Sequence, residues 1–420
     1  MSEQKTNRQQ LACDYIRENY VAFQRLRYDL IAQKVQVREE KPGEAAQWRY
    51  LTNADINTIV CDCCTETGTN ITAKEILTVL NAGEHYIPRV HPLREYATNL
   101  KPYTTDQPDW IDLVASQVKV KASTESDHQQ SEADRLWRVC FKKWFVAMVA
   151  SWLYDEVVNH QVLVLIGRQG IYKTTWLERL IPPHLRDYCC KLANATQLSK
   201  DDRLRIAEFG MINMDELDAM TPRELSAMKS VITASDVNER AAYCYTKERR
   251  VRLASFCASS NRREFLTDIT GNRRWLPFEV ESIQNPFFTT LPYDLMYAQA
   301  RHLIETDFNY WFELEEIATL EEHNDDFRAQ DSEEQLLPIL FDIPAEDKGE
   351  FMTTAQISER LVSYGNIKKP MSVSRLGMLL GTAGYKAVRP CINGLRMRGW
   401  LVYQRNTDEI NALKNSMKEP

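Results

Sequence analysis

The feature that most constrains this chain is a five-residue apolar run, VLVLI at 162–166, which stops on Gly167 and passes through RQGIYKTT into the helical pattern WLERLI. A continuous, β-branched run of this length is a strand buried on both faces, the kind found in parallel sheets covered by helices. A short loop from such a strand into a helix gathers backbone N–H groups and the positive end of the helix at one point, which favours phosphate. From Gln161 to about Val280, short apolar runs alternate with helical patterns. The expected fold class is therefore α/β, a sheet with crossover helices.

The loop carries the residue types that phosphate chemistry uses. Gly167 and Gly170 supply backbone freedom, Lys173 can reach β and γ oxygens, and the hydroxyl of Thr174 can hold Mg²⁺, with Thr175 following on the helix. ATP and Mg²⁺ are the expected ligands. The common pattern G-x-x-x-x-G-K-[ST] has glycine directly before the lysine, whereas Tyr172 stands there in this chain. Its side chain has to point away from the phosphates if the loop is to close on them.

A second apolar run, Phe209 to Met214, ends in adjacent acids, Asp215 and Glu216, about 40 residues beyond the loop. Two carboxylates after a strand also occur as a solvated turn. Behind a phosphate loop, the first is expected to orient Mg²⁺ and the second to polarise the attacking water. A third run, Leu253 to Ser260, ends at Asn261, which can place that water near the γ-phosphate or simply form a turn. Twelve residues later, TGNRRW presents Arg273 and Arg274. Such a pair is ordinary surface charge, or, in a ring, the finger that neutralises a neighbouring subunit's γ-phosphate.

Composition excludes several alternatives. The 420 residues suffice for two or three domains, and 44% hydrophobic with 26% charged residues is ordinary for a chain that buries a core. The start, MSEQKTNRQQ, lacks the apolar stretch of a signal peptide, and WFVAMVASWLY at 144–154 is too short to span a bilayer. A cytoplasmic protein with no membrane partner is expected. Cys61, Cys63, Cys64, Cys189 and Cys190 do not have zinc-ligand spacing and read as small buried hydrophobes.

The net charge of −7 conceals an uneven distribution. Glu313 to Glu350 holds fourteen acids against two bases, and Thr353 to Arg405 holds nine bases against one acid. Four regions follow: a mainly helical stretch at 1–155, the α/β core at 156–310, an acidic helix or linker at 311–350, and a basic module at 351–420. In the first, RQQLACDYIRENYVAFQRLRYDLI spaces its apolar residues helically, STESDHQQ at 123–130 reads as a polar loop, and 136–154 as a long buried helix. In the core, Thr221-Pro222-Arg223-Glu224 marks a capped helix start. In the last, two helices and a hairpin around Asn393-Gly394 follow the order of a winged helix. Arg375, Lys386, Arg389, Arg396 and Arg398 are its candidate phosphate contacts, although winged helices also bind proteins.

Taken together, GRQGIYKTT, MDELDAM, LSAMKSVITASDVNERAAY and ASSNRREFLTDITGNRRW, with HPLREYATNL and the Trp144 region upstream, resemble the virulence-associated protein E family of phage and mobile-element P-loop proteins. That family is related to the helicase portions of viral and phage primase–helicases. The resemblance covers roughly residues 90–280. It implies an ATP-driven ring, hexameric in the first instance, acting on single-stranded or forked DNA during replication of a mobile element. It assigns Lys173 and Thr174 to phosphate and Mg²⁺, Asp215 and Glu216 to the Walker B acids, Asn261 to the sensor, and Arg273 or Arg274 to the finger. In related rings a hairpin before the sensor strand grips DNA, which points to Arg240, Lys247, Arg249 and Arg250. No primase signature is present in the N-terminal part. The alternative is a nucleotide-switched DNA-binding regulator or phage-defence protein that does not unwind.

Overall fold

The structure, a computed structural model, describes all residues except 1–6, 41–42, 44–45, 123–126, 193–199, 240–247, 267–271, 330, 346–348, 369, 393 and 417–420. The fold is mixed α/β and divides into two compact units, Met1–Arg263 with Arg273–Leu320, and Glu264–Asn272 with Glu321–Pro420.

The first unit opens with α1 (Arg8–Ile16) and one π turn (Arg17–Val21), and then turns into strands. β1 (Leu26–Asp29), β2 (Lys34–Glu39) and β3 (Gln47–Tyr50) form a meander, with β4 (Arg89–Val90) added parallel to β1, in the order β3-β2-β1-β4. Between them lie α2 (Asn53–Thr67) and α3 (Ala73–Leu80). Thr52 with Asp55, and Thr72 with Glu75, close capping boxes that satisfy the first N–H groups of these helices. The helix expected through residue 31 ends at Val21, because Gln24 takes a left-handed backbone (φ 53°) and the chain then alternates into β1. This N-terminal region is thus built on a four-stranded sheet as well as helices.

α4 (Pro92–Asn99), α5 (Trp110–Ala115) and the short β5 (Val118–Val120) lead to α6 (Asp127–Leu153). The last four residues of the expected polar loop, 127–130, form the first turn of α6, and 123–126 lie outside the described residues. Trp137, Phe141, Trp144, Phe145, Met148 and Trp152 recur at spacings of three and four along α6 and are buried. Trp144 Nε1 donates to Phe256 O at 3.0 Å, which ties this helix to the central sheet. Truncating such a tryptophan typically costs about 3–5 kcal/mol.

The central sheet comprises β5, β6 (Val162–Ile166), β7 (Cys189–Leu192), β8 (Met211–Met214), β11 (Ser255–Ser260) and β12 (Trp275–Ile283), in the order β5-β12-β6-β11-β8-β7. All its pairs are parallel except β5 with β12. The hairpin β9 (Asp236–Glu239) and β10 (Glu248–Val251) stands apart from it. Connecting helices are α7 (Lys173–Glu178), α8 (Lys200–Glu208) and α9 (Pro222–Thr233), followed by α10 (Tyr293–Glu305) and α11 (Leu314–Asp325), within which the first unit ends. The Thr221 capping box forms as expected. No boundary falls at 155, since α6 and β5 belong to this core.

The second unit contains α12 (Ser332–Leu340), β13 (Phe341–Asp342), β14 (Glu350–Met352), α13 (Thr354–Gly365), α14 (Val373–Thr382), β15 (Lys386–Val388), β16 (Cys391–Ile392), β17 (Leu395–Arg396), β18 (Gly399–Gln404) and α15 (Thr407–Ser416). β18 pairs antiparallel with β13, β14 and β15, and β16 and β17 form a tight hairpin between β15 and β18. Its core joins Leu337, Leu340 and Phe341 to Ile357, Leu361, Leu376, Leu380 and Trp400. The acidic stretch at 311–350 is therefore not a plain linker. Its α12 supplies part of this core.

Candidate functional site

Parallel register brings three strand ends to one edge. Ser260 lies opposite Ile166, and Ala258 lies opposite Met214, so Gly167, Asn261 and Asp215 emerge together. Ligands in open α/β sheets bind at this carboxyl edge of the strands. β11, which carries Asn261, runs between the loop strand β6 and the acid strand β8.

Within this cluster Lys173 is buried, and its Nζ donates to Gly167 O (2.7 Å), Arg168 O (2.9 Å) and Asn261 Oδ1 (3.1 Å). Burial pulls its ammonium below the ordinary lysine value, against the charges of Asp218 and Asp215. Thr174 Oγ1 donates to Asp215 Oδ1 at 2.8 Å, and Ser259 Oγ donates to the same oxygen at 2.6 Å. Lys191 Nζ, from β7, pairs with Asp215 Oδ2 at 2.6 Å. Burial opposes the Asp215 charge, yet hydrogen bonds from Lys191, Ser259 and Thr174 outweigh it, so the carboxyl sits below its ordinary value.

This donor set suits Mg²⁺. Thr174 and Asp215 offer hard oxygens within hydrogen-bond reach of one another, and Mg²⁺ favours one or two protein oxygens completed by substrate phosphate and water. No cluster of three or more His, Cys, Asp or Glu side chains able to hold a metal occurs among the described residues. Ser259, Lys191 and Asp218 were not anticipated from the sequence. Asp218 accepts the Asn261 N–H at 3.3 Å. Ser259 was findable as the strand position two before Asn261, whereas nothing local marks Lys191.

Backbone geometry explains the loop's departure from the common pattern. A Cβ on Gly167 would meet Val280 O at 2.9 Å, which accounts for glycine there. Tyr172 has φ 69°, the left-handed conformation that a glycine in its place adopts freely. Its ring meets Phe287 edge-to-face, with centroids 6.1 Å apart. Glu216 is also left-handed (φ 56°) and exposed at the site's rim. A non-glycine residue in this region costs about 1–2 kcal/mol, a strain often found at functional positions. Tyr172→Gly is accordingly expected to leave unfolding stability within about 1 kcal/mol of the parent, with relief of strain offsetting the lost ring contact. Denaturant titration checks this, and a larger loss contradicts the strain account.

The signature of the virulence-associated protein E-like domain matches residues 115–329, just over half of the chain. The chain belongs to that family. Among solved structures it is similar to the apo NrS-1 C-terminal region (305–718), at 11% identity with a TM-score of 0.48, covering 95% of this chain and 100% of that one. The A form of the same region gives 10% identity and a TM-score of 0.45, with the same coverage. No curated protein matches.

The VapE-like domain thus begins at about β5 and includes all six strands of the central sheet. Arg273 and Arg274 stand at its opposite edge. Trp275 pairs with Val162, the first residue of β6, whereas the loop follows Ile166, the last. At roughly 3.3 Å per residue, the strand alone sets the pair on the order of 13–16 Å from its own loop. Arg273 is exposed and Arg274 half-buried, with burial and then Arg273 lowering the Arg274 pKa.

Of the nucleic-acid candidates, Arg240 and Lys247 lie outside the described residues. Arg249 is 76% exposed in its side chain and pairs with Asp236 at 2.8 Å. Arg250 requires a correction. It is only 9% exposed, pairs with Glu208 at 2.7 Å and donates to Ile31 O at 2.6 Å, so it joins α8 to the segment after β1 and presents no free charge. In the second unit Arg375 is half-buried against Asp331 at 2.7 Å. Lys386, Arg389, Arg396 and Arg398 are exposed on and around the β16–β17 hairpin. No helix among the described residues is long and apolar enough to cross a membrane.

Proposed function

We propose that this chain is a Mg²⁺-dependent ATPase with a P-loop core that acts on DNA as a ring, hexameric in the simplest case, in the replication of a phage or mobile element. The observation that carries this reading is the convergence of Lys173, Thr174, Asp215 and Asn261 at one sheet edge, within hydrogen-bond distance of one another or of a shared partner. Lys173 exchanges its loop carbonyls for β- and γ-phosphate oxygens. Thr174 and Asp215 would hold Mg²⁺, with Lys191 giving up Asp215 Oδ2, and the bound ion would supply charge neutralisation at the β- and γ-phosphates. Glu216 polarises the attacking water and Asn261 positions it. Backbone N–H groups of residues 170–175 serve the β-phosphate.

The placement of Arg273 and Arg274 at the edge opposite their own loop favours action on a neighbouring subunit's nucleotide, which is the reason for proposing a ring. The order of elements in the second unit, α12-β14-α13-α14-β15-hairpin-β18, supports a winged helix with the β16–β17 hairpin as its wing. Lys386, Arg389, Arg396 and Arg398 then meet phosphate. Each phosphate contact contributes about 0.9 to the slope of log K against log salt, so replacing all four by alanine is expected to lower the slope by roughly 3–4. An unchanged slope in a salt titration of DNA binding assigns the wing to protein contact instead.

A second reading, a nucleotide-switched DNA-binding regulator without unwinding, is favoured by the closed Lys191–Asp215 pair, which competes with a divalent ion. Strand displacement on forked DNA with ATP and Mg²⁺ separates the two. Displacement supports the motor, and fork binding with ATP turnover but no displacement supports the regulator.

A further inference from the structure

We propose that Tyr172, Phe287 and Phe288 form the platform on which the base of the bound nucleoside triphosphate stacks, an inference that rests on the phosphate-loop reading above. The groups serving the γ end, Asp215, Glu216 and Asn261, follow β8 and β11. With its γ end there, a nucleotide laid along the loop has its base toward Tyr172 and the turn that is anchored to the loop helix α7. The segment just beyond β12 carries Phe287 and Phe288.

These rings are held outward by a built turn. Asn285 Oδ1 accepts the Phe287 N–H (3.0 Å), and Asn285 O accepts the Phe288 N–H (3.1 Å) and the Thr289 hydroxyl (3.1 Å). Arg179, which caps α7, donates to Thr289 O at 2.8 Å, and Tyr293 Oη donates to Arg179 O at 2.8 Å. The turn is thereby fixed to the helix that follows the loop. Phe287 is nonetheless 74% exposed, Phe288 88% and Tyr172 37%. A single exposed hydrophobe needs no explanation, but Tyr172 and Phe287 meet edge-to-face beside the loop, with Phe288 exposed next to Phe287 in sequence.

Tyr172 adopts its left-handed backbone while its ring meets Phe287. Phe287, unlike Tyr172 and Phe288, also lines a cleft of ≈ 690 Å³ between the loop helix and β7, together with Thr175, Arg179, Cys189 and Lys191, a volume suited to a small ligand. Aromatic faces stack on any base and on larger rings best, so purine triphosphates are the expected substrates, with little discrimination between adenine and guanine.

The test titrates ATP and inorganic tripolyphosphate, each with Mg²⁺, into the full chain, the Phe287→Ala/Phe288→Ala variant, Phe287→Trp and Lys173→Ala. Stacking of one base is worth about 10-fold in affinity. The double variant is expected to lose about that factor for ATP while keeping tripolyphosphate within about 2-fold, and Phe287→Trp to retain ATP. Lys173→Ala loses both ligands. If the parent binds both and the double variant binds ATP as tightly as the parent, the platform is overturned while the loop stands. A change of oligomeric state at unchanged ATP affinity likewise overturns it, in favour of contact between subunits. If the parent binds neither ligand, the loop reading falls and the platform with it.

Discussion

Glu216→Gln is expected to lower ATP turnover by about 10³-fold while nucleotide still binds, and Lys173→Ala to lose both binding and turnover. The two outcomes differ because the residues differ in place. Lys173 is buried in the loop, and without it the carbonyls of Gly167 and Arg168 and the Asn261 amide lose their cation. Glu216 is exposed in a left-handed backbone, and under the proposed role the amide would remove a charge used in the transition state while leaving the ground-state site intact. Steady-state turnover with equilibrium nucleotide binding checks both, and normal hydrolysis by either variant contradicts the assignment.

A second large effect is expected at Arg273 and Arg274. Replacing both by alanine should leave nucleotide affinity nearly unchanged and cut turnover by about 10³-fold or more, the range for a finger supplied in trans. The pair lies just before β12, whose first residue, Trp275, is opposite Val162 at the far end of β6 from the loop, which sets it away from its own loop. Mixing this variant with Glu216→Gln subunits, each inactive alone, should restore part of the activity, because some interfaces then pair an intact finger with an intact acid. Mixtures that stay inactive, with assembly intact, contradict action in trans.

How much of this was legible in the sequence depends on how local each feature is. VLVLI, the loop and the following helix are contiguous, and the strands before Asp215 and Asn261 each run into their candidate residue, so the placement of these residues at one sheet edge could be read directly. The environment of Asp215 could not, because Lys191 and Ser259 reach it only through strand order. Arg250 looked like surface charge beside Arg249, but its partners, Glu208 and Ile31, lie 42 and 219 residues away. The N-terminal sheet was missed because its strands are only two to six residues long and follow a run whose apolar spacing also fits a helix. The acidic stretch reads as a helix or linker on charge, and its helices do form, but that Leu337, Leu340 and Phe341 belong to the core of the second unit depends on partners distant in sequence. Tyr172 was noticed as an exception, and its meaning came only with its backbone and with Phe287, 115 positions away in the chain.

Calorimetric titration of ATP into the full chain, with Mg²⁺ and with chelator, tests most directly whether Lys173, Thr174 and Asp215 bind nucleotide with Mg²⁺. The expected result is saturable binding at one site per chain that weakens at least about 10-fold without Mg²⁺ and disappears in Lys173→Ala. Absence of binding by the parent, or equal affinity in the parent and Lys173→Ala, would contradict it.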